Sequence, residues 1–384
     1  MRIAQIAPLW EQVPPPAYGG TELIVSLLTE ELVHRGHQVT LFATGDSQTR
    51  ALLKPGCEQA LRPQRALPSA YAGYEQSQLN RVFNLAAGFD LIHSHIGEAT
   101  LPYAKCCSTL VVHTLHGPFT PATERLFSQY RGQNLISVSN SQQRPDLALN
   151  YVATVYNAIA TETFKFYPQP SQPPYLAFLG RMSPEKGPQL AIKIAKRGGW
   201  PLKMAGKIDF ENQDFFDQEI APHIDDQQIQ FLGEVTHRQK NQLMGNASAT
   251  LFPITWPEPF GLVMTESMAS GTPVIAMAIG AAPEIIVDRQ TGFLCQTLED
   301  CLAAVAQIPQ IDRQTCRDHV SVNFGMKRMV DDYEVVYRRL LCEHLLHKKR
   351  PPHRILASNS AAAAAAALTQ LSTPAMAPSR QPPL

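Results

Sequence analysis

Strand-length apolar runs alternate with helix-patterned segments twice along this chain of 384 residues, and a proline-rich stretch separates the two series. This alternation restricts the chain to α/β architecture. A strand, a helical crossover and a second strand of one sheet must pair in parallel, with a right-handed connection. Residues 2–7 read as the first strand. Residues 21–35 follow as an amphipathic helix burying Leu23, Ile24, Leu27, Leu28 and Leu32, and after Gly36 a second strand is expected at 38–43. Further strands are expected at 91–93, 110–114, 135–139 and 153–156. Residues 163–174 hold four prolines and little periodicity, which marks a linker. The second series has strands at 175–179, 202–205, 229–232, 249–254 and 273–276, with helices at 189–197, 238–245 and 264–269. A long helix is expected at 326–345, with Met329, Tyr333, Val336, Tyr337 and Leu340 on one stripe.

Composition narrows the function classes. A hydrophobic content of 44% and a charged content of 17% describe a soluble globular protein with enough apolar mass for two domains. Thirty-three basic residues balance thirty-three acidic ones, so nothing favours general nucleic-acid binding. The seven cysteines contain no Cys-x-x-Cys pair, and only Cys106 and Cys107 are clustered, which favours reduced thiols over a disulfide framework. No run reaches the ~18 apolar residues that a membrane span needs, and the start of the chain reads as a strand, not a signal peptide. The expected location is therefore the cytoplasm, with peripheral contact on the inner face of a membrane left open. After Lys348, a basic triplet, two prolines, an alanine run at 361–367 and a Pro/Ser/Gln end predict disorder, with a basic surface tether or a docking tail as alternatives. No internal repeat is visible.

Chemistry concentrates at loops that follow strands. The segment Thr255-Trp256-Pro257-Glu258-Pro259-Phe260-Gly261-Leu262-Val263-Met264-Thr265-Glu266 places two carboxylates eight residues apart, one in a Pro/Gly-rich turn and one at the start of a helix. Singly, Glu266 reads as a first-turn acid favoured by the helix dipole, and Glu258 as a loop charge. The pair, with Pro-Phe-Gly between, is a stronger signal. Upstream, Gly180-Arg181-Met182-Ser183-Pro184-Glu185-Lys186-Gly187 joins a strand to a helix. Arg181 offers a planar fork and Lys186 a mobile charge, a combination suited to phosphates, although a solvated turn would look the same. Gly19 and Gly20, within Tyr18-Gly19-Gly20-Thr21-Glu22, can present bare N–H groups to an anion or simply make a flexible helix entry. They lack the Gly-x-Gly-x-x-Gly of a dinucleotide site. His93, His95, His113 and His116 invite a metal reading. No Cys or carboxylate stands at ligand spacing, so His93 and His95 are expected as cleft-wall or core residues.

Taken together, these motifs resemble the retaining, nucleotide-sugar-dependent glycosyltransferases of family 4 (group 1). The Glu-x7-Glu element formed by Glu258 and Glu266, and the Gly-Arg-x-x-x-Glu-Lys-Gly pattern at 180–187, carry the resemblance. It spans residues 1 to about 348, and its specific part is in the second half. It implies a GT-B architecture, with two Rossmann-like domains facing a central cleft. These would be an acceptor domain at 1–162, a linker at 163–174 and a nucleotide-sugar domain at 175–325. A crossover helix at 326–348 would pack back on the first domain, leaving a low-complexity tail at 349–384.

By the same resemblance, Glu258 contacts the transferred sugar, Glu266 the nucleotide ribose, and Arg181 and Lys186 the diphosphate. His116 would lie beside the donor sugar, and the Gly19-Gly20 loop would face the donor phosphate and the acceptor. Gly206 and Gly233 match glycines lining the nucleotide pocket, and Phe260, Gly261 and Leu262 accompany the Glu pair as substrate contacts. Glu284, in a stretch resembling Gly-x-x-Glu-Ile-Ile, is expected to be structural. With no Asp-x-Asp motif, neither a metal nor another cofactor is expected, and the donor is a co-substrate. The acceptor could be a carbohydrate, a lipid or a small molecule, and the oligomeric state is not set. A sugar-nucleotide epimerase on the same fold, or a non-catalytic nucleotide-sugar binder, is the alternative. A dinucleotide oxidoreductase fails for want of its glycine fingerprint.

Overall fold

The computed structural model describes residues 1–17, 19–64 and 68–349; Tyr18 and the tail from residue 350 lie outside the described residues. Among these, thirteen strands form two separate sheets in which every adjacent pair is parallel. The first sheet contains β1 (Arg2–Ile6), β2 (Gln38–Thr44), β3 (Leu52–Cys57), β4 (Leu91–Ser94), β5 (Leu110–Leu115), β6 (Asn134–Ser137) and β7 (Tyr151–Thr154), in the order β3-β2-β1-β4-β5-β6-β7. The second contains β8 (Leu176–Leu179), β9 (Leu202–Ala205), β10 (Ile229–Phe231), β11 (Ala249–Phe252), β12 (Val274–Met277) and β13 (Gly292–Cys295), in the order β10-β9-β8-β11-β12-β13.

Helices α1 (Gly20–His34), α2 (Pro68–Asn84), α3 (Leu101–Cys106) and α4 (Pro121–Gln129) belong to the first series. The second series has α5 (Pro188–Gly198), the single turn α6 (Gln213–Phe215), α7 (His237–Asn246), α8 (Leu262–Ala269), α9 (Ala282–Ile285), α10 (Leu298–Val305) and α11 (Arg313–Asn323). The last helix is α12 (Met326–Lys349). Residues Met1–Leu341 form one compact unit containing both sheets. Among the described residues no helix is long and apolar enough to cross a membrane.

Central strands β1, β4 and β5 are buried throughout apart from Arg2, because helices cover both faces of a parallel sheet and leave no solvent side to alternate toward. β3 escaped the sequence reading because Pro55 and Gly56 interrupt it. It is an edge strand with an irregular register against β2, where a missing N–H donor is tolerated. Each sheet reverses its strand order once, between β1 and β4 and between β8 and β11. In open parallel sheets the crevice outside these reversal points receives ligands. Gly19-Gly20, His116 and the segments 180–187 and 255–266 follow one of these strands or a neighbour.

The last helix returns to the first sheet. Met329, Val330, Tyr333, Val336, Tyr337 and Leu340 of α12 share one buried cluster with Ile3, Ile24, Leu28, Leu91 and Val112. The proline-rich segment is packed onto the second half: Arg313 Nε donates to the Tyr167 carbonyl at 2.7 Å, and Phe164 joins the second core. Where the chain crosses between halves, its two passages bond to each other. Ile159 N–H donates to the Phe324 carbonyl at 3.0 Å and Met326 N–H to the Ile159 carbonyl at 3.1 Å.

Candidate functional site

The carboxyl ends of β8, β9 and β11 build a charged wall. Gly180 and Arg181 follow β8, and the turn leading to α5 ends in Lys186-Gly187. This turn is tied to the loop after β11 by Thr255 N–H donating to the Glu185 carbonyl at 2.9 Å. Lys186 Nζ then lies 2.5 Å from Glu258 and 5.2 Å from the centre of the Trp256 ring. One turn into α8, Glu266 is 5% exposed at its side chain and pairs with Lys240 of α7. Arg181 faces Glu185 at 3.3 Å and Asp209 at 3.6 Å, and Lys207 pairs with Asp209 at 3.0 Å.

Two glycines explain how these groups come so close. Gly206 adopts φ +152°, and a Cβ there would sit 1.7 Å from the Gly180 carbonyl oxygen, so the loops after β8 and β9 touch only because no side chain intervenes. Gly280 (φ +59°) backs the Glu258 turn, with any Cβ 2.5 Å from the Glu258 backbone, while Ala281 N–H donates to the Glu258 carbonyl at 3.0 Å.

The opposite wall comes from the first half. Gly19 and Gly20 open α1, and Gly20 approaches Leu262 of α8 so closely that a Cβ would lie 3.5 Å from its Cδ1. His116 follows β5. Its Nε2 lies 2.9 Å from His95 Nδ1, and His95 Nε2 lies 2.8 Å from Gln5 Oε1. Burial depresses both histidines, His116 to about 4 and His95 well below its ordinary value, so both are neutral near pH 7. Behind Gly19, burial pushes the Glu22 carboxyl up to about 7.

Between the walls is a cleft of about 470 Å³, lined by Gly19, Gly20, His116, Arg181, Lys186, Gly206, Glu258, Phe260, Gly261, Leu262 and Glu266 among others. Its size falls within the usual range for small-ligand sites. Among the described residues no three His, Cys, Asp or Glu side chains are grouped to hold a metal ion.

Comparison with known proteins places the chain in a family and fold. Residues 18–163 match the family model described as Glycosyltransferase Family 4, and residues 160–312 match the model described as Glycosyl transferases group 1. This chain belongs to the group 1, family 4 glycosyltransferases. It is 25% identical over 348 residues to a glycogen synthase of Mycobacterium tuberculosis (77% of this chain, 82% of the relative). It is 28% identical over 337 residues to a phosphatidyl-myo-inositol mannosyltransferase of the same organism, with the same coverage. Among solved structures, sucrose-phosphate synthase of Thermosynechococcus elongatus superposes with a TM-score of 0.72 at 17% identity, covering 89% of this chain and 99% of that one. Anabaena HepE in complex with UDP-glucose gives 0.65 at 19% identity, covering 89% and 100%. The fold is GT-B.

Of the residues expected to contact substrate, Gly233 does not line the cleft. Its carbonyl accepts from Gly206 N–H at 2.9 Å, so it supports the glycine that does. Glu266 also differs from the sequence reading. The helix begins at Leu262, two residues earlier than expected, which moves Glu266 into the second turn and removes the simple helix-dipole account. Its charge is met by Lys240 instead.

Sequence reasoning missed Lys240 because it is one lysine on a polar helix. Only the packing of α7 against α8 shows that it faces an acid. Asn157 was also missed. It lines the cleft, 7% exposed, with its Oδ1 unpartnered among the described residues, and nothing in its local sequence marks it. Glu284 accepts from the N–H groups of Asn140 (2.8 Å) and Ser141 (2.7 Å) and from the Tyr156 hydroxyl (2.8 Å), tying α9 to the first half. His93 is core, bonded to Tyr337 and Thr114.

Proposed function

We propose that this glycosyltransferase moves a sugar from a nucleoside-diphosphate sugar to an acceptor hydroxyl, retaining the anomeric configuration and using no metal ion. The observation that carries this reading is the pairing of Lys186 with Glu258 and of Lys240 with Glu266 along one wall of the cleft. An ammonium has three donors, so each lysine can hold its glutamate and still meet a phosphate oxygen. Arg181 and Lys186 would face the diphosphate, joined by first-turn N–H groups at Leu262 and Val263, which the helix itself leaves without partners. Glu266 would accept from the ribose hydroxyls and Glu258 from the sugar. The uncharged wall of Gly19, Gly20, His116 and Asn157 would contact the sugar and the acceptor. HepE, whose structure holds UDP-glucose, supports a donor of this class.

In the reaction the bond from the anomeric carbon to the leaving phosphate oxygen breaks, and a bond to the acceptor oxygen forms on the same face. The departing phosphate takes the acceptor proton. The cations stabilise the charge that develops on the phosphate, which is where a preorganised site lowers the barrier most. Excluding water suppresses hydrolysis of the donor.

A thermal-shift panel of UDP, GDP, ADP and TDP sugars tests donor binding, because a ligand of the native state raises Tm. NMR of the product then reports the anomer. No shift with any nucleotide sugar, inversion at C1, or activity lost to EDTA and restored by manganese would each overturn a stated part. Incubation of donor alone excludes epimerisation if the sugar returns unchanged.

A further inference from the structure

Behind His116 a chain of hydrogen bonds runs through the first sheet to the last helix. His95 Nδ1 meets His116 Nε2 at 2.9 Å, and His95 Nε2 meets Gln5 Oε1 at 2.8 Å. The other end of the Gln5 amide, Nε2, donates to the Tyr337 hydroxyl at 3.5 Å. Tyr337 lies 2.6 Å from His93 Nδ1, His93 Nε2 lies 2.7 Å from Thr114 Oγ1, and Thr114 lies 3.0 Å from the Tyr333 hydroxyl. Apart from half-buried His116, every side chain in this chain is fully or almost fully buried. Burial also depresses His93 well below its ordinary value, so three neutral imidazoles share the network.

A neutral imidazole carries one N–H and one lone pair, so each link determines the next. Gln5 turns its carbonyl oxygen toward His95, and His95 Nε2 must therefore carry the proton. Its Nδ1 is then an acceptor, and His116 must donate from Nε2. What remains to His116 is the lone pair on Nδ1, which has no partner among the described residues. His116 borders both the main cleft and a small side cavity formed with Glu98, Phe119 and Thr123.

We propose that His95 and Gln5, anchored by Tyr337 of α12, are positioning residues that lock His116 into the Nε2–H tautomer and so present Nδ1 to the substrate as a hydrogen-bond acceptor. His116 therefore takes a hydrogen bond from a substrate hydroxyl and gives none, which selects a hydroxyl-bearing group at that point. The specification comes from the far end of the chain: with the Tyr337 hydroxyl donating to His93 Nδ1, its oxygen is left to accept from Gln5 Nε2, which keeps the Gln5 carbonyl toward His95. The kinetic part of this inference rests on the glycosyl-transfer reading; the tautomer itself does not.

The test is nitrogen-15 NMR of the full enzyme labelled in histidine. The expected spectrum gives His116 a protonated Nε2 and a bare Nδ1. Gln5→Leu should leave the two tautomers mixed, and Gln5→Glu, which keeps an acceptor toward His95, should restore the single form. Tyr337→Phe should mix the tautomers while leaving the packing of α12 in place. Kinetically, Gln5→Leu should lower kcat about tenfold, the worth of one hydrogen bond, with donor KM within about twofold, and Gln5→Glu should recover most of the loss. A wild-type spectrum with His116 protonated at Nδ1 overturns the proposal, as does an unchanged tautomer in Gln5→Leu. If the tautomers behave as stated while His116→Ala transfers sugar normally, the relay stands and the site reading fails.

Discussion

The two walls of the cleft differ in kind. Among the described residues the first half contributes Pro15, Gly19, Gly20, His116, Val138 and Asn157 with no ionised side chain, whereas the second contributes Arg181, Lys186, Lys207 and Lys240 against Glu234, Glu258 and Glu266. A diphosphate needs fixed charge, and fixed charge in a half-buried wall needs internal counter-charge when no ligand is bound. Sugar hydroxyls need neutral donors and acceptors, which cost little to bury once they are hydrogen-bonded. On the proposed reading, one wall holds the anionic donor and the other discriminates between hydroxyls.

The strongest way to break this comparison is Lys240→Met. It leaves the Glu266 carboxylate buried beside an apolar group, and removing one partner of such a pair costs about 3–5 kcal/mol; calorimetry should show the lower Tm. The double variant Lys240→Met/Glu266→Leu should recover stability without recovering donor affinity. Next, Lys186→Ala should lower kcat/KM by two to three orders of magnitude, on the order of 3–4 kcal/mol of transition-state stabilisation. Steady-state kinetics against ionic strength should show a weaker salt dependence in this variant. A neutral-wall variant such as Asn157→Ala should leave the salt dependence unchanged.

Glu22, under the neutral wall, gives a pH test. Its folded pKa, about 7, exceeds the ordinary 4.5. Between those values the folded chain holds a proton that the unfolded chain has lost, so the stabilisation is complete below 4.5 and is lost as pH rises through 7. Glu22→Gln should remove roughly 3 kcal/mol of that decline, read as the difference between the wild-type and variant urea-unfolding curves across this window. The buried histidines oppose it, since their depressed values make stability rise with pH up to about 6.5, and they cancel in the difference. Gly280→Ala adds about 1–3 kcal/mol of backbone strain, and its Cβ would stand 2.5 Å from the Glu258 backbone, so the turn must shift. It should act on turnover more than on Tm, because the strained segment carries Glu258; a fall in Tm alone would mean that the turn has relaxed.

The legibility of the sequence follows the same division. Arg181, Lys186, Glu258 and Glu266 stand out in the sequence by spacing and residue type, and the structure brings all four to the cleft. Buried strands such as β1 and β5 were readable as mostly apolar runs, with Arg2, Gln5, His113 and Thr114 the polar exceptions. Lys240 and Gln5 were not, because each acquires meaning only from a partner that folding brings near, 26 residues away for Lys240 and 332 for Gln5, and Asn157 acquires it only from the cleft it lines. β3 was lost to Pro55 and Gly56 and β13 was not read, and the start of α8 was misplaced because Gly261 permits an N-cap conformation that the preceding prolines obscured.

The double passage between the halves is cross-bonded. Because Ile159 is bonded to Phe324 and Met326, the two connections act as a single ribbon, like the leaf of a strap hinge. A chain cut at residue 325 would lose this cross-link's second strand together with the α12 side chains buried against the first sheet, and with them the register of the charged and neutral faces.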